Sequence, residues 1–279
     1  MLRLVSSVLN QFDLLKGYAQ GMKQFSMKWR IPLIVLVAGV LPLLVGVSAD
    51  PLFGPKGWVN ETVHTCVELA GSCIALVVAM LLLLRVRHEP SMGHLLWVVA
   101  GLVATGLLDF VHGVTAFGVA WSWLRHGATL LGGGLFGLVW LPLPKAAVQR
   151  KRVVILGVGL VVLAAALGIC LRSDLLPAPW LQGDYSLAVK IANAVGGAGY
   201  LAAAVFFLRR YARQPSTEDL AFAGQTLLFG AAGVLFGFSH VWGVSWWIWH
   251  GFRFLAFSVL LAVAYKVVAG LYEQLALVA

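Results

Sequence analysis

The chain has 279 residues, of which 61% are hydrophobic and only 11% are charged. Soluble globular domains carry about 25% charged residues, so the composition excludes a soluble domain and indicates an integral membrane protein. The net charge of +9 would suit a nucleic-acid-binding protein. However, the basic residues lie between hydrophobic segments, as the positive-inside rule requires. We therefore expect the lipid bilayer as partner and no nucleic acid.

The first 28 residues differ from the rest of the chain. Apolar residues recur there at helical spacing from Leu2 to Leu15, with polar side chains between them. This pattern is typical of an amphipathic helix that lies on a membrane surface. We predict an interfacial helix at residues 1–28, followed by a single transmembrane domain at residues 30–273.

Long apolar segments occupy most of this second domain. A helix needs about 20 mostly apolar residues to cross the hydrocarbon core of a bilayer. By this criterion the sequence predicts an all-α, polytopic membrane bundle of about eight transmembrane helices. The expected spans are residues 31–48, 60–85, 94–118, 122–143, 152–171, 184–208, 219–241 and 246–272.

Basic and aromatic residues define the expected orientation of these spans. Lys and Arg cluster before the first span and after the second, fourth and sixth spans, whereas the other connections carry only Lys56 and Arg172. Cytoplasmic loops are enriched in Lys and Arg, so we expect both termini in the cytoplasm. Tryptophans near the opposite ends of the spans, including the run Trp246-Trp247-Ile248-Trp249, are expected at the outer membrane interface.

Nine ionisable residues lie inside these apolar spans or at their edges. Such residues cost roughly 2.5–3.5 kcal/mol each on insertion scales, so they usually face the bundle interior and have a function. When the direction of each span is taken into account, all nine fall in the outer half of the membrane. They are His64, Glu68, Asp109, His112, His126, Lys190, His240, His250 and Arg253.

The spacing of these residues predicts a shared site. Residues three or four apart lie on one face of a helix, as do His64 with Glu68 and Asp109 with His112. We expect the binding residues to be His64, Glu68, Asp109, His112, His126 and His250. The residues expected to support the site or balance its charge are Ser72, Lys190, His240 and Arg253.

Three chemistries fit such a site. Neutral imidazole and carboxylate are ordinary ligands of zinc and copper, and the metal ligands would then be His64, His112, Asp109 and Glu68. Two histidines from facing helices could instead hold a b-type haem. The third chemistry is a buried ion-pair network that binds a small polar ligand or titrates with pH.

The order of these motifs resembles a family of bacterial membrane-associated sensor domains called MASE3. The motifs that carry the resemblance are His64-Thr-Cys-Val-Glu68, Gly106-Leu-Leu-Asp109-Phe-Val-His112, His126, Trp180, Ser186 to Lys190, and His250 with Arg253. The resemblance covers roughly residues 30–272. The segments Gly132-Gly-Gly134 and Leu141-Pro-Leu-Pro144 depart from the family pattern.

This resemblance implies a sensory domain and not an enzyme. Domains of this family are followed by output modules such as PAS, histidine kinase or diguanylate cyclase domains, and this sequence contains none of them. By resemblance we expect a cytoplasmic signalling output domain in cis or in trans, a homodimer, and location in a bacterial inner membrane.

A second resemblance leaves an enzyme as the alternative. Zinc hydrolases of the alkaline ceramidase group combine one Ser, one Asp and three His within the membrane, a set that Ser72, Asp109, His112, His240 and His250 could imitate. In that group the two histidines of the final helix normally lie about one turn apart, whereas His240 and His250 are ten positions apart. The alternative function is thus a metal-dependent hydrolase of amide or ester lipids, with a metal-bound water as nucleophile.

Overall fold

A computed structural model shows a helical bundle and describes residues 29–54, 57–181 and 184–278. The interfacial helix predicted at residues 1–28 lies outside the described residues. Eight long helices follow one another within the described part of the chain. In chain order they are α1 Trp29–Phe53, α2 Glu61–His88, α3 Leu95–Val114, α4 Val119–Gly137, α5 Lys151–Leu171, α6 Leu187–Arg213, α7 Thr217–Phe236 and α8 Val244–Val278.

Seven of these helices, all except α4, are long and apolar enough to cross a membrane. The composition of α4 differs because Arg125, His126 and several glycines lower its mean hydropathy. It nevertheless packs between α3 and α6 inside the bundle. The prediction of an all-α, multi-pass membrane bundle is confirmed, and each predicted span coincides with one helix, although the ends differ by several residues.

Local capping signals set the starts of two helices. The side chain of Asn60 accepts a hydrogen bond from the backbone N–H of Val63 at 2.9 Å, at the start of α2. At the start of α7, Ser216 accepts one from the backbone N–H of Asp219 at 3.0 Å. Both side chains satisfy a backbone donor that the helix itself leaves free.

Six of the eight helices form a closed ring. Its neighbouring pairs are α2–α3, α3–α4, α4–α6, α6–α7, α7–α8 and α8–α2. α5 packs on the outside of the ring, mainly against α3, and α1 packs on the outside against α8 and α7. The ring interior is therefore enclosed by protein, which allows polar side chains from α2, α3, α4 and α8 to avoid lipid.

A short hairpin lies between α5 and α6. Strands β1 (Trp180–Leu181) and β2 (Asp184–Tyr185) pair antiparallel, with Trp180 opposite Tyr185. The sixth helix therefore begins at Leu187 and not at residue 184, where the apolar pattern predicts its start. The hairpin places Tyr185, which is buried, against the start of α4.

Glycines allow α4 and α6 to approach each other closely. A Cβ atom added to Gly133 would overlap the carbonyl oxygen of Gly196 and lie 2.8 Å from its Cα atom. Small residues permit this kind of backbone contact between membrane helices. On the same helix, a Cβ atom at Gly134 would meet no atom within 4 Å.

We expect Gly133→Ala to destabilise the protein and Gly134→Ala to leave it unchanged or slightly more stable. Overpacking at Gly133 should cost about 1–3 kcal/mol, whereas alanine at the open position 134 gains helix propensity of up to about 1 kcal/mol. Thermal unfolding of both variants in the same detergent measures the difference. Equal melting temperatures for the two variants would contradict the close α4–α6 contact.

His94, just before α3, should make stability depend on pH. Burial, together with the positive charge of Arg210, lowers the pKa of His94 to about 4, below its usual value near 6.5. The folded protein therefore binds this proton more weakly than the unfolded chain does. The stability that neutral His94 contributes is present above about pH 6.5 and is lost as the pH falls towards 4.

Replacement of His94 by Phe should reduce the fall in melting temperature between pH 7 and pH 5. A phenyl ring retains the packing against Phe206, whose ring centroid lies 5.5 Å from that of His94, but it cannot titrate. The matched control is His88→Phe, because His88 is exposed at the end of α2. A pH dependence that is identical in wild type and His94→Phe would show that His94 does not contribute.

Candidate metal centre

Six predicted site residues meet inside the helical ring, at the end where α2, α4, α6 and α8 begin. α2 supplies His64 and Glu68, α3 supplies Asp109 and His112, and α8 supplies His250 and Arg253. Arg125 of α4 joins them. We call these seven residues the polar cluster; each is at most 6% exposed.

Two carboxylates and two guanidinium groups form one half of the polar cluster. Arg253 donates from Nη1 to Glu68 Oε1 at 3.1 Å and from Nη2 to Asp109 Oδ2. Arg125 Nη1 lies 3.8 Å from Asp109 Oδ1 and donates to Thr129 Oγ1 at 2.9 Å. The formal charges of these four groups cancel, as burial in a low-dielectric interior requires.

Three histidines form the other half of the polar cluster, and backbone carbonyl groups orient two of them. His112 Nδ1 lies 2.7 Å from the carbonyl oxygen of Trp121. His250 Nδ1 lies 2.7 Å from the carbonyl oxygen of Trp246. Because a carbonyl oxygen only accepts hydrogen bonds, each Nδ1 carries a hydrogen, and a ring in its neutral form then presents a lone pair at Nε2.

Those Nε2 atoms point at further electron-pair donors. His112 Nε2 lies 3.3 Å from His64 Nε2, and His64 Nε2 lies 4.0 Å from Glu68 Oε1. Two nitrogens bound at zinc–nitrogen distances in a tetrahedral site are about 3.3–3.4 Å apart. The group His64, Glu68 and His112 could therefore hold a metal ion, since its donor atoms all lie within 4.8 Å of one another.

His250 stands next to this group and shares one of its ligands. Its Nε2 atom lies 3.1 Å from Glu68 Oε1, the same oxygen that accepts from Arg253. A lone pair at this nitrogen would face a carboxylate oxygen, which is repulsive unless a proton or a cation lies between them. Asp109, predicted as a further metal ligand, lies instead between Arg125 and Arg253, where it balances their charge.

Tryptophan rings cover the histidine half of the polar cluster. The rings of Trp121, Trp242 and Trp246 lie 5.4, 5.5 and 5.1 Å from the ring of His64, measured between centroids. Trp246 and Trp249 are 0% and 1% exposed. The prediction that Trp246 and Trp249 anchor the protein at the lipid interface is therefore wrong, because both rings pack inside the bundle.

His126 is buried beside the polar cluster and not within it. Its Nδ1 atom lies 2.7 Å from Nδ2 of Asn193, and its ring packs edge-on against Tyr185. The ring of Phe236 stands between it and His250, 5.9 Å from the first and 5.7 Å from the second. His126 thus belongs to a contact between α4, α6 and the hairpin.

Three residues expected to support the site lie elsewhere. Lys190 packs over a phenylalanine ring, and His240, with a side chain 61% exposed, lies 3.8 Å from Asp50. Ser72 donates to the backbone carbonyl of Glu68 at 2.7 Å, a bond within its own helix. The charge balance expected from Lys190 comes instead from an arginine of α4, Arg125.

The sequence pattern does not single out Arg125 or Trp246 as site residues. An arginine in the first turns of a helix and a tryptophan near a membrane interface both have common structural roles at the surface. The available signal for Arg125 is its depth, which matches that of Glu68 and Asp109. Two carboxylates at one level of a bundle need two cations there.

Removal of Arg253 should destabilise the protein severely. Arg253→Met leaves Glu68 and Asp109 buried with a single guanidinium group, which should cost about 3–5 kcal/mol. The matched control is Arg172→Met, since Arg172 and Asp174 form a pair at 3.6 Å whose side chains are 63% and 68% exposed. Exposed pairs contribute at most about 1 kcal/mol.

Denaturation of both variants in detergent measures these changes. Addition of Glu68→Gln to Arg253→Met should recover part of the loss, because it removes the carboxylate that has lost its partner. Similar losses for the Arg253 and Arg172 variants, or no recovery by Glu68→Gln, would contradict the charge balance described here.

Comparison of the chain with protein-family models, with curated proteins and with solved structures finds no match. The resemblances to MASE3 sensor domains and to alkaline ceramidases therefore stay predictions.

Proposed function

We propose that this protein is a membrane-integral sensory domain that binds a zinc or copper ion in the polar cluster. The ligands are His64, His112 and Glu68, and His250, whose Nε2 atom lies 3.1 Å from Glu68 Oε1, is the candidate for a fourth ligand. The observation that carries the proposal is the Nε2–Nε2 distance of 3.3 Å between His64 and His112, together with the carbonyl group that fixes Nδ1 of His112. Such a second hydrogen bond orients the imidazole in metal sites.

The geometry favours a metal ion over a haem. A haem would need a flat space between the two imidazoles that bind its iron. Here the rings of His64 and His112 pack edge to face with centroids 5.0 Å apart, and Trp121 and Trp246 fill the surrounding volume. The Nε2–Nε2 distance of 3.3 Å between His64 and His112 instead suits two ligands of a single ion.

The small size of the adjoining cavities favours binding over hydrolysis of a lipid. In the described part of the chain, one cavity with walls from the polar cluster lies beside Glu68 and His250, and another lies beside Arg125 and Tyr200. Each has a volume of about 10 Å³, which is enough for roughly one water molecule. A larger cavity of about 430 Å³ lies beside Asp50 and is not lined by the polar cluster.

Glu68 connects metal binding to α8. Its Oε1 atom now contacts both His250 and Arg253 of that helix, so a metal bond to Glu68 would compete with these contacts. The helices would then have two arrangements, one with the present α2–α8 contacts and one with weakened contacts. A metal ion that binds the second arrangement more tightly would increase its population, to an extent set by the difference in affinity between the two. α8 has 35 residues and runs from the polar cluster to the opposite end of the bundle, where it can act on an output domain.

The proposed orientation places that opposite end in the cytoplasm. Arg85 and Arg87 end α2, Arg209 and Arg213 end α6, and Lys151 begins α5 at this end. We call it the basic end. The positive-inside rule assigns such an end to the cytoplasm. The resemblance to MASE3 suggests that the protein lies in the inner membrane of a bacterium. It also suggests that the protein forms a homodimer and acts on an output domain in cis or in trans.

Cobalt binding to the detergent-purified protein tests the metal site. Co²⁺ is a spectroscopic substitute for zinc, and we expect visible absorption bands that saturate at about one ion per chain, as the tetrahedral site requires. His64→Asn and His112→Asn should each weaken binding by about 100-fold or more. Zn²⁺ should displace the cobalt and abolish the bands.

Matched controls are His88→Asn and His240→Asn, which remove histidines outside the polar cluster. These variants should bind Co²⁺ as the wild type does. Wild-type protein without saturable binding, or equal losses in the control variants, would contradict the proposal. Circular dichroism of each variant separates loss of a ligand from loss of the fold.

A further inference from the structure

A second polar site lies at the basic end, which is the opposite end of the bundle from the polar cluster. There a cavity of about 410 Å³ opens between the end of α2 and the start of α5. Its walls are Arg87, Gln149, Arg150, Lys151, Arg152 and Val153. Four of these six residues carry a positive charge, and none carries a negative charge.

The positive charges in this cavity have no acidic partner among the residues that the structure describes. Among the described residues, the ion pairs at this end join Arg85 to Glu89 and Glu218, and Arg210 to Asp219. None of those pairs involves a residue that lines the cavity. Like charges repel each other, so an anion in this cavity would be favoured by all four basic side chains.

The start of α5 also attracts an anion. Its N-cap residue, Arg150, provides no side-chain acceptor, and its first turn contains no acidic residue. The free N–H groups at the start of a helix and the helix dipole both attract negative charge. Cationic side chains from the end of α2 and the start of α5 therefore line one cavity, next to the helix end whose backbone attracts negative charge.

The face of α5 next to the cavity indicates which kind of anion would fit there. Val153, which belongs to the cavity wall, is 69% exposed, and Leu156, Leu160 and Val161 continue the same helix at 60–70% exposure. α5 packs on the outside of the helical ring, so this apolar face is open to lipid. An occupant with an anionic head and long apolar chains satisfies both the cavity and the face.

We propose that this cavity binds the phosphate headgroup of an anionic phospholipid, whose acyl chains lie along the exposed face of α5. Basic pockets between membrane helices on the cytoplasmic side recognise such headgroups. The bound lipid would join α5, which packs peripherally, to α2 of the ring. This site is independent of the metal proposed for the polar cluster.

Lipid titrations observed by native mass spectrometry test the proposal on the full chain. We expect phosphatidylglycerol to bind the detergent-purified protein much more tightly than phosphatidylcholine. The triple variant Arg150→Gln, Lys151→Gln, Arg152→Gln should bind phosphatidylglycerol about 100-fold more weakly, because each basic residue near an anionic surface contributes about fivefold. Arg87→Gln alone, which changes the cavity wall from α2, should weaken binding about fivefold.

The matched control is Arg209→Gln with Arg213→Gln, which removes charge at the same end of the bundle but outside the cavity. This variant should retain wild-type affinity for phosphatidylglycerol. An equal loss in the control would show diffuse attraction to the basic end and would overturn the proposal. Equal binding of phosphatidylcholine would also overturn the proposal. So would displacement of the lipid by inorganic phosphate at similar concentrations, because the acyl chains would then have no role in binding.

Discussion

Four buried charges hold the centre of this bundle together. Glu68, Asp109, Arg125 and Arg253 come from α2, α3, α4 and α8, and each would be costly in a low-dielectric interior without the others. Arg253 contacts both carboxylates at once, so it joins α8 to α2 and α3. The ring of helices can close only where these groups meet, because a shift of one helix by a turn would leave a charge without its partner.

The histidines depend on the same arrangement. Closure of the ring brings α2 and α3 together, which places His64 against His112, and it brings α8 against α2, which places His250 against Glu68. Carbonyl groups of the polypeptide then fix the imidazole orientations. Glu68 takes part in both the charge balance and the histidine group, so a ligand at the histidines necessarily changes what α2 presents to α8.

The helices outside the ring differ in their physical role from those within it. α5 contributes little to the polar centre and presents much of its surface to lipid, whereas α4 contributes Arg125 and packs against α6 through glycine contacts. A buried charge needs protein against the face of the helix that carries it, whereas a helix without such charge can present most of its surface to lipid. The proposed lipid at the start of α5 would compensate for the limited protein contact of this helix.

Composition and helical spacing predict an all-α membrane bundle, the order of its eight long helices, seven of which are apolar enough to cross a membrane, and the helices that carry His64, Glu68, Asp109 and His112. These properties are local, because insertion in a bilayer acts on each segment separately. Only the tertiary structure decided which of the ionisable residues meet. It placed Lys190 and His240 outside the polar cluster and Arg125 inside it, because contacts between helices depend on packing and on charge balance across elements far apart in sequence.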